Sequence, residues 1–208
     1  MKTYNDQENF WHKDYSEEYI KKNSSFNSDL LKEGWRKILK NVDSPKSILE
    51  CGANVGRNID FLSSEFNDSN ISAIEISSDA CSILSKKFPN LNLFNGSILD
   101  SKFVPNSFDL VFTMGVLIHI NPDELLKNLD VIQSYTNKYL VIGEYFNRTP
   151  TKLPYQGQED KLFKRDFGKL ILENFKDDFK LVDYGFLWGH IYDSAGFDDI
   201  TWWVFERI

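Results

Sequence analysis

The chain has 208 residues, a length typical of one domain of roughly 100 to 200 residues with small additions. Apolar residues make up 41% of it and aromatic residues 15%, which excludes wholesale disorder. The formal net charge is -7, and no run of lysines and arginines marks a surface for duplex nucleic acid, so we expect no nucleic-acid partner.

The N-terminus and the cysteines narrow the cellular setting. The N-terminal sequence, MKTYNDQENFWHKDY, has no apolar core of a signal peptide, and no apolar run of about 18 residues occurs. We therefore expect a cytoplasmic protein with no membrane contact. Cys51 and Cys81 lack CxxC spacing and histidine neighbours, so we expect two packed thiols and no metal site.

In chain order, residues 1–45 are predicted to form one or two helices, an N-terminal helical cap. Short apolar segments and helical patterns then alternate, which indicates buried parallel strands joined by helices. The predicted helices span about residues 56–65, 79–88 and 122–135. The predicted strands are Ser47 to Cys51, Ile71 to Ile76, Leu91 to Asn95, Phe108 to Met114 and Lys138 to Glu144.

The helix at 122–135 opens with Asn121 and Pro122, a capping residue followed by a proline at the first helical position. One more helix is predicted after Asp166. Two strands follow, Phe179 to Leu187 and Thr201 to Arg207, which we predict as a hairpin without a helix between them. These elements predict a doubly wound α/β sheet of seven strands with one antiparallel strand and helices on both faces.

Residues 145–165 contain two prolines and little periodicity, as expected of a functional lid or a disordered loop. The segment carries five lysines and arginines against two acidic residues, a local charge of +3 in an acidic chain. This charge favours an anionic partner, and we expect Arg148, Lys164 and Arg165 to help clamp a carboxylate or phosphate.

The turn after the first predicted strand has the sequence of a nucleoside-binding turn. Gly52 and Gly56 permit positive φ and close backbone approach, and Asn54 also tolerates the left-handed region. Glu75 ends the second strand, where a carboxylate can accept both hydroxyls of a ribose. The glycine spacing departs from GxGxxG, and Glu50 in the strand suits a cationic ligand better than a phosphate.

These motifs resemble those of class I S-adenosylmethionine-dependent methyltransferases. ECGANVG is similar to their first motif, E/D-x-G-x-G-x-G, with Asn54 at the middle glycine. AIEIS resembles their acid-ended second strand, and FDLVFTMGVLIHINPDEL resembles their fourth-strand motif. The resemblance covers about residues 46–144. It implies a Rossmann-like methyltransferase domain over residues 46–208 that uses S-adenosylmethionine, with the lid at about 145–165.

Within that superfamily the chain is most similar to the methylases associated with pseudaminic acid biosynthesis. Trp11, Tyr19-Ile-x-x-Asn23, GVLIHINPD and the EYFN segment with residues 155–168 carry this similarity. It implies a methyltransferase for a small acceptor, such as a sugar or sugar-nucleotide intermediate.

The resemblance also implies which residues bind the cofactor. Ser97 or, three positions later, Asp100 would contact the adenine amine, and the sequence does not choose between them. The aromatic residues Trp11, Tyr15 and Tyr19 would close over the cofactor or pack on the sheet edge. The implied set is Trp11, Tyr15, Tyr19, Glu50, Cys51, Gly52, Ala53, Asn54, Gly56, Glu75, Ile76, Gly96, Ser97, Ile98, Thr113, Met114 and Gly115.

Catalytic candidates lie at the same edge of the predicted sheet. Methyl transfer needs a base only when the acceptor must lose a proton, as a hydroxyl or ammonium must. His119, Glu144 with Tyr145, and His190 are the candidates, and a structural or cofactor-side role is the alternative for His119. The oligomeric state is open. Alternative functions are methylation of a small carboxylic acid or a protein side chain, or a non-catalytic subunit that binds the cofactor.

Overall fold

A seven-stranded sheet forms the centre of the structure, a computed structural model that describes residues 5–14, 25–155 and 158–208. A separate two-stranded sheet consists of β6 and β7. The strands are β1 (Ser47–Cys51), β2 (Asn70–Glu75), β3 (Asn92–Asn95), β4 (Phe108–Met114), β5 (Thr136–Tyr145), β6 (Thr151–Tyr155), β7 (Gln158–Lys164), β8 (Phe179–Leu187) and β9 (Ile200–Arg207).

Helices connect and cover the strands. A 3-10 turn, Leu117–His119, follows β4, and a π-helical stretch, Phe10–Asp14, follows the first helix. The α-helices are α1 (Asp6–Asn9), α2 (Ser28–Ile38), α3 (Arg57–Glu65), α4 (Ser78–Lys87), α5 (Pro122–Tyr135), α6 (Phe167–Asn174) and α7 (Gly189–Tyr192).

The strand order is β3-β2-β1-β4-β5-β9-β8, and β9 is antiparallel to both of its neighbours. The pairs from β3 to β5 are all parallel. This arrangement confirms the predicted doubly wound sheet with an antiparallel last strand. The chain order reverses direction between β1 and β4, and ligands of such sheets bind beyond the carboxyl ends of the strands at that point.

Two apolar cores lie on opposite faces of the sheet, because successive side chains of a strand alternate between its faces. One core joins α5 and α6 to the sheet. The other contains Trp35 of α2, which is fully buried against Phe61, Phe112 and Phe197. The capping helix α2 is thereby part of the main core.

Two connections differ from the predictions. Residues 151–164, predicted to lack regular structure, contain the β6–β7 hairpin, whose register is irregular between Leu153 and Tyr155. Pro154 lies at that irregularity, and a proline within a short segment hides a strand from sequence patterns. The predicted β8–β9 hairpin is present, but α7 and a 3-10 turn lie in its connection, where four-residue helices leave almost no periodic signal.

The structure bears on the expectations for the cysteines and for membrane-spanning segments. Cys51 and Cys81 are buried free thiols, as predicted. Within residues 5–14, 25–155 and 158–208, no helix has both the length and the apolar character needed to cross a membrane.

Replacement of Trp35 by Phe tests how the cap contributes to the fold. The indole Nε1 donates a hydrogen bond of 3.1 Å to Oδ1 of Asn58, which Phe cannot replace. Loss of a buried hydrogen bond and of packing should lower the free energy of unfolding by roughly 1 to 3 kcal/mol in urea melts. Trp188→Phe, at an exposed indole, should change it by less than about 0.5 kcal/mol. Equal effects would contradict the role of Trp35.

Candidate active site

A cavity of about 170 Å³ opens beyond the carboxyl ends of β1, β2 and β4. Its walls come from the turn after β1, the ends of β2 and β4, the loop after β3, the start of α5, and the N-terminal segment, by which we mean residues 5–14. We call it the first cavity.

The turn after β1 forms one wall with its backbone. Gly52 has φ +85°, Asn54 has φ +47° and Gly56 has φ +79°, so all three adopt the left-handed conformation that their residue types tolerate. A Cβ on Gly52 would lie 2.5 Å from Cγ2 of Val116. Any side chain at Gly52 would therefore collide with the turn after β4.

The side chain of Glu75 links this turn to Ser77, the residue that precedes α4. Its carboxylate accepts hydrogen bonds of 2.7 Å from the backbone N–H groups of Asn54 and Ser77, and it lines the first cavity. Burial raises the pKa of this carboxyl, and the backbone donors oppose that effect. A carboxylate can accept about four hydrogen bonds, so Glu75 has capacity for donors from a ligand in the cavity.

Glu50 lies deeper in the same wall. One carboxylate oxygen accepts a 2.7 Å hydrogen bond from Asn58, and the other has no hydrogen-bond partner among the described residues. Burial raises the pKa of Glu50 to about 8, while Asn58 and the nearby Arg57 lower it. A buried carboxylate oxygen without a donor is suited to a ligand that brings one.

The N-terminal segment covers the first cavity. Asn5 donates a 2.7 Å hydrogen bond to Glu124 at the start of α5, and His12 is bonded to the carbonyl oxygen of Ile76 just after β2, at 2.9 Å. Trp11 lines the cavity between these two attachments. The segment therefore spans the cavity from one wall to the other.

A second cavity of about 150 Å³ adjoins the first. Tyr145, Tyr155 and the residues that lead into β9 line it, including Asp193 and Asp198. The two cavities share four lining residues, so they adjoin at these residues. The shared residues are Arg57, Met114, Gly115 and His119.

His119 is the one predicted catalytic residue that reaches both cavities. Its ring lies between Trp11 and Tyr155, with ring centroids 4.3 Å and 5.1 Å away. Its Nδ1 is 2.9 Å from the carbonyl oxygen of Lys161. Because a carbonyl can only accept, Nδ1 carries the proton and Nε2 has the lone pair. Burial lowers the pKa of His119 to about 4, so the ring is neutral near pH 7.

The other three catalytic candidates lie in different places, and only one of them lines a cavity. Tyr145 lines the second cavity and donates a hydrogen bond to Asp198. Glu144 is fully buried, lines neither cavity and is occupied by hydrogen-bond donors of the protein, so its position does not support a catalytic role. His190 is exposed beside Trp188 and also lines neither cavity. It lies in the connection from β8 to β9, whose short helix the sequence did not reveal.

Most of the implied cofactor residues meet at the first cavity. Ser97 lines it and Asp100 does not, which favours Ser97 of the two alternatives. Tyr15 and Tyr19 lie outside the described residues. Those that line the first cavity are Trp11, Glu50, Gly52, Ala53, Asn54, Glu75, Ile76, Gly96, Ser97, Ile98, Met114 and Gly115.

Three implied cofactor residues stand behind the cavity wall. The Cys51 and Thr113 side chains are fully buried, because strand side chains alternate and theirs point into the protein. Gly56 lies against Leu84 and Phe88 of the neighbouring helical layer. These residues shape the site without lining it.

The three basic residues expected to clamp an anion do not line either cavity. Arg148 is exposed, and neither it nor Lys164 nor Arg165 is among the residues that line the two cavities. The ammonium of Lys164 lies 4.9 Å from the ring centre of Tyr145. The cation at the cavities is instead Arg57, whose guanidinium packs directly on Gly196.

Sequence reasoning missed Arg57 and two asparagines that line the first cavity. Asn58 lies on the buried face of α3, and Asn128 lies on the buried face of α5. The signal that could have identified the two asparagines is a polar residue within the apolar stripe of a helix. Such a group must find a polar partner inside the protein.

Comparisons with known proteins agree with this geometry. Residues 48–138 match a family described as a methyltransferase domain. Over this part of the chain, the protein is similar to a methyltransferase domain. No curated protein matches the chain.

Solved structures share the fold at low sequence identity. A 1,6-didemethyltoxoflavin-N1-methyltransferase from Burkholderia thailandensis, with bound 1,6-didemethyltoxoflavin and S-adenosylhomocysteine, is 12% identical, with a TM-score of 0.68 over 93% of this chain and 89% of that chain. The magnesium protoporphyrin IX methyltransferase of Synechocystis PCC 6803, with bound S-adenosylmethionine, is 12% identical, with a TM-score of 0.68 over 100% of both chains. The [4+2]-cyclase SpnF is 14% identical, with a TM-score of 0.62 over 86% of this chain and 80% of that chain.

The environment of His119 predicts a measurable titration. Its folded-state pKa of about 4 is below the ordinary value of 6.5, so the unfolded chain binds more protons between these values. The contribution of His119 to stability should be fully present above about pH 6.5 and lost as the pH falls toward 4. NMR titration of carbon-13-labelled histidine, with His119→Gln for assignment, should show one resonance with a midpoint near 4. A midpoint near 6.5 would contradict the burial.

Proposed function

We propose that this protein transfers a methyl group from S-adenosylmethionine in the first cavity to a small molecule in the second cavity. The observation that carries this proposal is the shared wall: Met114, Gly115 and His119 line both cavities. A donor and an acceptor that meet where the two cavities adjoin are positioned for direct transfer.

The residues of the first cavity fit the cofactor. The Gly52 to Gly56 turn would lie against the methionine moiety, where the free carboxylate oxygen of Glu50 can accept from the ammonium group. Glu75 would accept the ribose hydroxyls, and Ser97 would face the adenine. The N-terminal segment would cover the bound cofactor through Trp11.

When bound, S-adenosylmethionine supplies a methyl group on a positively charged sulfur. Transfer forms a bond from the acceptor to the methyl carbon as the carbon–sulfur bond breaks, and the sulfur keeps the electron pair. The protein contributes position and exclusion of water. The lone pair on Nε2 allows His119 to hold a hydroxyl or amine proton of the acceptor, although a pKa of about 4 makes it a weak base.

The lining of the second cavity supports a polar acceptor of sugar type. Asp193 and Asp198 can accept hydrogen bonds from hydroxyls, Tyr145 and Tyr155 offer ring faces, and Arg57 can pair with an acidic group. An anionic sugar or sugar-nucleotide intermediate therefore remains the proposed acceptor, in agreement with the similarity to methylases of pseudaminic acid biosynthesis. The anionic preference now depends on Arg57 rather than on the 145–165 segment.

Other functions use the same fold. A small carboxylic acid fits the same lining, and a volume of about 150 Å³ favours a small molecule over a protein side chain. A non-catalytic subunit would need the first cavity alone. The [4+2]-cyclase with this fold makes chemistry other than methyl transfer a second candidate.

Binding of S-adenosylhomocysteine tests the first cavity. By isothermal titration calorimetry we expect the wild type to bind it with a micromolar dissociation constant and not to bind NAD. Glu75→Gln should weaken binding at least about tenfold, because the ribose hydroxyls lose an ionised acceptor. Glu65→Gln makes the same change at an α3 surface residue paired with Arg36 and should leave binding unaltered. Absence of binding by the wild type would refute the proposal.

Transfer from methyl-labelled S-adenosylmethionine tests the second cavity. With carboxylated and neutral sugars as acceptors, label should appear in the carboxylated product. For an accepted carboxylated sugar, Arg57→Gln should raise KM about tenfold or more, because the carboxylate of the sugar loses its cationic partner. The dissociation constant of S-adenosylhomocysteine should change by a smaller factor than KM. This comparison distinguishes a loss of acceptor binding from a disruption of the cofactor site beside Glu50. Tight cofactor binding without transfer to any acceptor would favour the non-catalytic alternative.

A further inference from the structure

Glu144 stands out because its carboxylate is fully buried and yet lies outside both cavities. Oε1 accepts hydrogen bonds from the hydroxyl of Thr113 at 2.9 Å and from the backbone N–H groups of Val116 and Leu117 at 3.1 and 3.0 Å. Oε2 accepts from the N–H of Ile118 at 3.2 Å. The donors are one side chain and three consecutive amides.

These three amides belong to the turn after β4, where the two cavities adjoin. We call residues 115–119 the partition: Gly115 and His119 line both cavities, Val116 lines the first and Ile118 lines the second. The carboxylate of Glu144 holds the partition from behind, on the side away from the ligands. It thereby fixes the backbone that carries His119.

The chemistry of the partition explains why an acid stands here. The first amides of a helical turn have no partners within that turn, and an anion satisfies them better than a neutral group. The amides of His119 and Ile120 use carbonyls of the turn itself, at 2.9 and 3.1 Å. An apolar residue in place of Glu144 would leave the three preceding amides buried and unpaired.

Holding a carboxylate in this position is costly. Burial disfavours its charged form, and the four donors only oppose that cost. An apolar residue elsewhere on the same strand, such as Ile142, packs without this cost. The amide donors to this buried acid all come from one loop. Its role is therefore better explained as fixing the geometry of that loop than as stabilising the sheet.

We propose that Glu144 is a positioning residue that sets the location of the partition, and so of His119 and the Gly115 backbone, beside the place where the two bound ligands meet. This inference rests on the proposed function for its purpose, but the contacts it invokes can be tested without an acceptor. It replaces the expectation that Glu144 is a base.

Glu144→Gln tests the positioning role, because the amide keeps the shape but replaces one acceptor oxygen by a donor. Two readouts at pH 7.5 are needed: the His119 resonance of carbon-13 histidine-labelled protein, and the dissociation constant of S-adenosylhomocysteine. The His119 resonance is sensitive to its place between Trp11 and Tyr155. We expect it to shift while the exposed His190 resonance stays, and we expect binding to weaken at least tenfold.

Thr136→Val is the matched control. Its hydroxyl is fully buried at the other end of β5 and donates to the carbonyl of Ile132. This variant should lower the melting temperature and leave both readouts at wild-type values. A Glu144→Gln variant that melts lower but also keeps the wild-type His119 resonance and dissociation constant would overturn the proposal.

Thr113→Val keeps the proposal testable if Glu144→Gln does not fold. It removes one of the four donors, so the His119 resonance should shift in the same sense as in Glu144→Gln but less, and an unchanged resonance would overturn the proposal. The two proposals fail differently. A wild type that binds no S-adenosylhomocysteine would refute the proposed function, while the His119 resonance would still report on the partition.

Discussion

Three buried carboxylates at the carboxyl edge of the parallel sheet hold the loops that form the site. Glu75 ends β2 and joins the turn after β1 to the start of α4 through backbone amides. Glu144, near the end of β5, holds the turn after β4. Glu50 of β1 binds Asn58, which in turn accepts from Trp35. Each acid ties a strand end to a neighbouring element.

This arrangement uses the strong tendency of buried ions to find donors. A carboxylate removed from water is unfavourable unless donors surround it, so loops that supply backbone N–H groups are held near it. Glu144 has four donors and Glu75 has donors on both oxygens, whereas Glu50 retains one oxygen without a partner among the described residues. The oxygen left open is the one suited to a ligand.

The covering elements complete the site by contact rather than by chain proximity. Trp11 comes from the N-terminal segment, His119 from the turn after β4 and Tyr155 from β6, yet their rings pack together. The cluster lies where the two cavities adjoin, at His119. Its aromatic rings also account for the low polarity that keeps this histidine neutral.

The amino-acid sequence by itself determined the seven strands, the antiparallel end of the sheet and most of the first cavity. Short apolar runs and helical periods are local signals, and Gly52, Asn54 and Glu75 follow strands whose ends must meet at one edge. Only the tertiary structure decided which side chains line a cavity. Glu144 and Thr113 lie near the ends of β5 and β4 at the same edge, but their side chains point inward to each other.

The second cavity and the cation beside it were likewise decided only by the tertiary structure. Arg57 reaches that cavity because its guanidinium packs on Gly196, a residue distant in sequence whose lack of a side chain leaves the space. The charge of residues 145–165 did not identify Arg57, since charge along a chain does not specify where side chains point. Contacts between residues far apart in sequence leave no periodic pattern, so only the folded chain reveals them.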